Sequence, residues 1–86
     1  MQDTWILGVY IPERSNRIDE VQFLLTKFGC SIKTRLGLHE INEQEYSKSG
    51  LILLELTGDV KEFRKLEKEL KKIEGLCIRK MIFKPA

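Results

Sequence analysis

The sequence predicts an α+β domain of ferredoxin-like plan: a four-stranded antiparallel sheet in βαββαβ order, with two helices on one face. Residues 4 to 38 read strand, helix, strand, and residues 50 to 84 read strand, helix, strand again. The two helix exits look alike, Phe28-Gly29-Cys30-Ser31-Ile32-Lys33 in the first half and Glu74-Gly75-Leu76-Cys77-Ile78-Arg79 in the second. The length of 86 residues suits one small domain covering residues 1–86. A fold of this kind hosts many unrelated functions, so the function must be argued from particular residues.

Thr4 to Ile11 is apolar on both sides, with Trp5, Leu7, Val9 and Ile11 on one and Ile6 and Tyr10 on the other. Such a strand is expected in the middle of the sheet, and Pro12, which cannot donate to a ladder, ends it. Asn16 is the expected cap of the first helix, with Asp19 and Glu20 at the positive end of its dipole. Ile18, Val21, Leu25 and Phe28 form the expected buried stripe, and Gly29 the left-handed stop. The second strand, about Ser31 to Glu40, alternates Ile32, Leu36 and Leu38 against Lys33, Arg35, Gly37 and His39, which fits an edge.

Residues 41 to 49 are polar and read as a long hairpin connection. Gly50 to Leu56 is another dense apolar run. Asp59 and Glu62 then form an expected capping pair, and Val60, Phe63, Leu66, Leu70 and Ile73 the buried stripe of the second helix. Its other face, Lys61, Glu62, Arg64, Lys65, Glu67, Lys68, Glu69, Lys71 and Lys72, reads as solvated. Gly75 stops that helix, and Leu76 to Phe83 makes the last strand.

Two helices can cover only one face of four strands. Trp5 or Tyr10, with Leu51 and Leu53, must then point to the uncovered side, and contiguous apolar surface of that kind marks an interface. A homo-oligomer, dimer or tetramer, is therefore expected, made by packing sheets face to face or by pairing edges. The competing reading is that a terminal segment or the 41 to 49 connection covers the patch.

Composition excludes several classes. Lys and Arg number 15 against 13 Asp and Glu, a net charge of +2 that is too small to draw a polyanion to the whole molecule. No direct contact with nucleic acid is expected. No run approaches the length of a membrane span, and Met1-Gln2-Asp3-Thr4 lacks the features of a signal peptide, so a cytoplasmic protein without membrane contact is expected. Cys30 and Cys77 fall at opposite sheet edges, three strand spacings or roughly 14 Å apart, beyond disulfide reach. Both are expected as reduced, buried thiols.

Catalysis finds little support. There is one histidine, no nucleophile elbow and no glycine-rich phosphate cradle. His39 alone cannot hold a metal; a site combining it with the distant cysteines would have to assemble across subunits. No enzyme activity, metal or cofactor is expected. Acylphosphatases share this fold through a glycine and arginine loop after the first strand, but Glu13-Arg14-Ser15-Asn16-Arg17 has no glycine there. RNA-recognition motifs need stacking aromatics on the third strand, and Leu51-Ile52-Leu53-Leu54-Glu55-Leu56 has none. Metallochaperones of this fold carry a cysteine pair after the first strand, where this chain has no cysteine.

The Glu13 to Arg17 turn and Phe28-Gly29-Cys30-Ser31-Ile32 resemble the effector-binding plan of ACT-type regulatory domains, which carry a glycine where this chain has Asn16. Arg35-Leu36-Gly37-Leu38, then Ser49-Gly50-Leu51-Ile52-Leu53-Leu54-Glu55-Leu56, and finally Ile73-Glu74-Gly75-Leu76-Cys77-Ile78-Arg79 resemble the short bacterial proteins called iron-only hydrogenase system regulators. That resemblance covers nearly the whole chain. It implies an ACT-like fold, similar to the ligand-binding domain of nickel-responsive repressors, although His39 alone does not reproduce their nickel ligands.

The function so implied is that of a regulatory or sensor domain that oligomerises and binds a small effector or partner protein between subunits. The alternative is a docking module with no small ligand. Arg14, Ser15, Asn16 and Arg17 are the expected ligand-binding rim, because backbone amides at a helix start plus two arginines suit a carboxylate or other anion. Arg35 and Gly37 are second candidates, a strand glycine often permitting close backbone approach. With no DNA-binding segment before residue 4, regulation is expected to act through a partner protein or bound effector.

Overall fold

A computed structural model describes residues 2–12, 17–38 and 50–85. The elements follow in the order β1 (Thr4–Ile11), α1 (Ile18–Lys27), β2 (Ile32–Leu38), β3 (Gly50–Leu56), α2 (Val60–Lys71) and β4 (Cys77–Phe83). All strand pairs are antiparallel in the order β2-β3-β1-β4, so β1 and β3 are central and β2 and β4 form the edges. Both helices lie on one side of this sheet, the ferredoxin-like arrangement expected.

Period-two burial fixes which side of each strand meets the helices. Trp5, Leu7, Val9 and Ile11 of β1 are buried with Ile52, Leu54 and Leu56 of β3 and Ile78 of β4. Against them pack Val21, Leu24, Leu25 and Phe28 of the first helical segment and Phe63, Leu66, Leu70 and Ile73 of the second. Trp5 therefore belongs to the core rather than to the open face. Its ring lies 5.6 Å from that of Phe63, inclined at 56°, a tilted aromatic contact.

Several local expectations are corrected. In α1, Ile18 is exposed and Leu24 takes its place in the stripe, because the helix presents the faces of Val21, Leu24, Leu25 and Phe28 to the sheet. The N-cap position is Arg17, with no side-chain cap bond, and Asn16 lies outside the described residues. Gly29 has no positive φ; it opens a single 3-10 turn, Gly29–Ser31, that carries the chain straight into β2. Gly75 does take the left-handed conformation, at φ 90°.

The alternation expected in β2 is broken by a bulge between Ile32 and Thr34. An extra residue in one strand shifts all later side chains to the other face. Ile32 packs against the core, whereas Leu36, opposite Leu53, is turned to the open side. Arg35 and Gly37, opposite Leu54 and Ile52, fall on the helix side.

At the start of α2 the Asp59 carboxylate accepts from the Lys61 backbone N–H at 2.9 Å, the expected cap. Glu62 does not complete a reciprocal box; its carboxylate accepts from Lys65 Nζ at 3.2 Å. Glu67, read as solvated, is buried, because α2 turns it toward β4, where Lys80 Nζ meets it at 3.1 Å. Lys71 closes on its other oxygen at 3.3 Å. The cysteines are free, but Cys30 is exposed and Cys77 half-buried, since one precedes and the other begins an edge strand with neighbours on one side only. The 41 to 49 connection and His39 lie outside the described residues.

Candidate functional site

The helix-free side of the sheet is built by strand register. Ile6 stands between Glu55 and Met81, Gly8 between Leu53 and Arg79, and Tyr10 between Leu51 and Cys77. Directly opposed residues share a face. Ile6, Tyr10, Leu36, Leu51, Leu53, Met81 and Phe83 thus form one apolar surface, with Tyr10 45%, Leu36 50%, Met81 53% and Phe83 55% exposed. Polar groups are few on it. Glu55 accepts from Thr34 Oγ1 at 3.0 Å and lies 3.8 Å from Lys33 Nζ, and Arg79 donates to the Ile78 carbonyl at 3.0 Å.

Of the residues expected to form the ligand rim, Arg14, Ser15 and Asn16 lie outside the described residues. Arg17 sits at the entrance of α1, its guanidinium 2.7 Å from Glu20, an exposed i,i+3 pair. Arg35 reaches from β2 to α1, donating to Gln22 Oε1 at 2.6 Å. Both arginines therefore flank the first turns of the same helix, and no hydrogen bond joins them among the described residues. Gly37 is exposed, and a Cβ there would meet nothing within 4 Å, so no close approach within the described protomer requires a glycine.

Two shallow clefts that sequence reasoning missed lie on the helix side. One, of about 430 Å³, runs between Phe23 and Leu24 of α1 and Ile73 after α2, rimmed by Asp19, Glu20, Glu69 and Lys72. The other, also about 430 Å³, is lined by Lys27, Phe28, Cys30, Ser31, Glu62, Lys65 and Glu69. Neither includes Arg17, Arg35 or Gly37. The exposed Phe23, off the apolar stripe of α1, was the available signal for the first. At the shared rim, the bond from Lys72 Nζ, and then its charge, holds the Glu69 carboxyl below its ordinary value. A lowered folded value means that this pair supports the fold above the ordinary carboxylate range and is lost as pH falls.

Among the described residues no cluster of three or more His, Cys, Asp or Glu could hold a metal ion, and no helix is long and apolar enough to cross a membrane. Among the described residues the surface offers an exposed apolar face and two arginines, Arg17 and Arg35, each bonded to a residue of α1.

No protein-family model matches the chain, and no curated protein matches it. Solved structures do. The uncharacterized protein TM1266 of Thermotoga maritima superposes with a TM-score of 0.79 at 24% identity, over 96% of this chain and 100% of that one. The ACT domain of a GTP pyrophosphokinase from Chlorobium tepidum gives 0.66 at 12% identity, over 93% of this chain and 100% of that one. CPII, a nitrogen regulatory PII-like protein from Thiomonas intermedia, solved with ADP, AMP and bicarbonate, gives 0.58 at 9% identity over 99% and 97%. At these identities the likeness establishes architecture, and the chain has an ACT-like, ferredoxin-like fold.

Proposed function

We propose that this chain is a non-catalytic regulatory module that self-associates and binds a small effector at the boundary between subunits. The observation that carries this reading is the apolar open face, on which Tyr10, Met81 and Phe83 are about half exposed beside Leu51 and Leu53. A surface of that kind is stable in water when a partner covers it. The shared fold with an ACT domain and with a PII-like protein that holds ADP, AMP and bicarbonate supports a sensing role.

The effector's polar rim is Arg14, Ser15, Asn16 and Arg17, with Arg35 and Gly37 of β2 as the second contributors. The start of α1 presents backbone amides and the positive end of its dipole, and the arginines add full charges, so the rim suits a carboxylate or phosphate. Such a ligand bridging two chains favours one assembly by its differential affinity for it. The resemblance of the Arg35 to Leu38, Ser49 to Leu56 and Ile73 to Arg79 segments supports a finer reading, a regulator of an iron-only hydrogenase system acting through a partner protein or bound effector.

The test is ligand-induced stabilisation across a panel of amino acids, nucleotides and divalent metals. One anionic compound raises the melting temperature of the wild-type chain, and the Arg14→Ala, Arg17→Ala double variant, equally folded, loses that rise. An undiminished rise in the double variant removes this rim from the account. The docking-module reading, favoured by the same open face, is the one that survives if no compound on the panel shifts the melting temperature of an oligomeric chain.

A further inference from the structure

We propose that the strip between α1 and β2 binds a small carboxylate with an aliphatic tail, its head on Arg35 and its tail on Ile18 over the ground left open by Gly37. This rests on the effector binding proposed above and names the anchoring charge and the ligand class. The two arginines of the described rim differ in what holds them. Arg17 meets the Glu20 carboxylate at 2.7 Å, so its charge is balanced where it stands. Arg35 donates to Gln22 Oε1 at 2.6 Å, and that acceptor is neutral. Gln22 is thus a positioning residue, which fixes the guanidinium without cancelling its charge. A carboxylate drawn to Arg35 competes with an amide oxygen rather than with an ion pair.

Two residues with no role inside the protomer flank that charge. Ile18 is apolar yet 43% exposed, and Gly37 interrupts an edge strand where φ is not positive and a Cβ would meet nothing within 4 Å. β2 returns from α1 through a single 3-10 turn, so helix and strand run in opposite senses, and the bond between Arg35 and Gln22 sets their register. Two residues onward along β2 cover about 6.6 Å and four residues back along α1 about 6 Å. Those steps lead from Arg35 to Gly37 and from Gln22 to Ile18, each along one face of its element. Gly37 therefore leaves bare the ground level with Ile18, and a branched side chain there would fill it.

Charge also decides what the strip refuses. Asp19 and Glu20 border the cleft toward α2, on the other flank of α1. Among the described residues no acid pairs with Arg35. An ammonium next to the bound carboxylate would find no opposite charge and would be repelled by the guanidinium. The ligand is then a carboxylate without an α-ammonium group.

NMR chemical-shift titration of the isotope-labelled chain with acetate, isocaproate and leucine tests this, leucine being isocaproate with an added α-ammonium. Isocaproate should bind more tightly than acetate by roughly fourfold for each methylene buried, and roughly tenfold more tightly than leucine. Arg35→Gln should weaken acetate and isocaproate alike by roughly tenfold or more. Gln22→Glu should weaken them similarly without lowering the melting temperature of the unliganded chain, because a carboxylate there balances the guanidinium; a merely structural Gln22 would leave binding intact in that variant. Gly37→Val should keep the fold and acetate binding while erasing the advantage of isocaproate. Leucine binding as tightly as isocaproate, or isocaproate binding unchanged in Arg35→Gln or in Gly37→Val, overturns the assignment and leaves an anion rim at Arg14 to Arg17 standing. A wild-type chain that binds neither acetate nor isocaproate overturns it as well. Inorganic phosphate added to that chain then decides the rim: shifts around Arg17 keep it, and their absence removes it too.

Discussion

Glu67 shows how much a single residue depends on what faces it. On α2 it belongs by sequence to a run of alternating lysine and glutamate, and only the arrival of Lys80 from β4 explains its burial. Exposed ion pairs such as Lys65 with Glu62 contribute little, whereas a buried carboxylate with two ammonium partners is costly to lose. Glu67→Ala should destabilise the fold by about 1 to 2 kcal/mol in urea unfolding, the lower part of the range for an orphaned partner because Lys80 can reach water. A change indistinguishable from that of Glu62→Ala would contradict this account. The burial was not legible in the sequence because helical periodicity reports one element's faces and says nothing of the side chain that a distant strand projects. The same limit hid Arg35's bond to Gln22.

Elements were legible where their signals are local. β1 and β3 follow the boundaries expected from their apolar runs, and Asp59 caps α2 as its position before Val60 implies. The two glycines at the helix exits, alike in sequence, behave differently. Gly75 is left-handed, whereas Gly29 enters a 3-10 turn without positive φ. Alanine at position 75 should cost about 1 to 2 kcal/mol, because a Cβ is strained in that conformation. At position 29 a Cβ meets nothing within 4 Å, and Gly29→Ala should be close to neutral. Thermal unfolding of the two variants checks the contrast, and equal losses would contradict it. The bulge in β2 was illegible for a related reason: it is set by pairing with β3, and one inserted residue reverses the reading of every later position.

At the scale of the molecule, the sheet order, the single helical layer and the open apolar face all follow from counting two helices against four strands. The helix-side clefts were not legible in the same way, because they form where α1, α2 and the segments after them meet, which one helix's periodicity does not report. The β1 to α1 turn illustrates the difference. Its arginines, with Arg35 of β2, read as an anion rim from residue type alone, while Arg17's bond to Glu20 and Arg35's to Gln22 show that these two charges already have local company. An effector at the proposed rim would have to compete with those bonds, and its binding would couple to the arrangement of α1 against β2. That coupling would give a small ligand leverage over assembly.

Light scattering of the purified chain, with and without amino acids, nucleotides and divalent metals, tests the central claim most directly. The account predicts a stable oligomer whose mass or melting temperature shifts with one anionic compound. A monomer indifferent to every compound would contradict it.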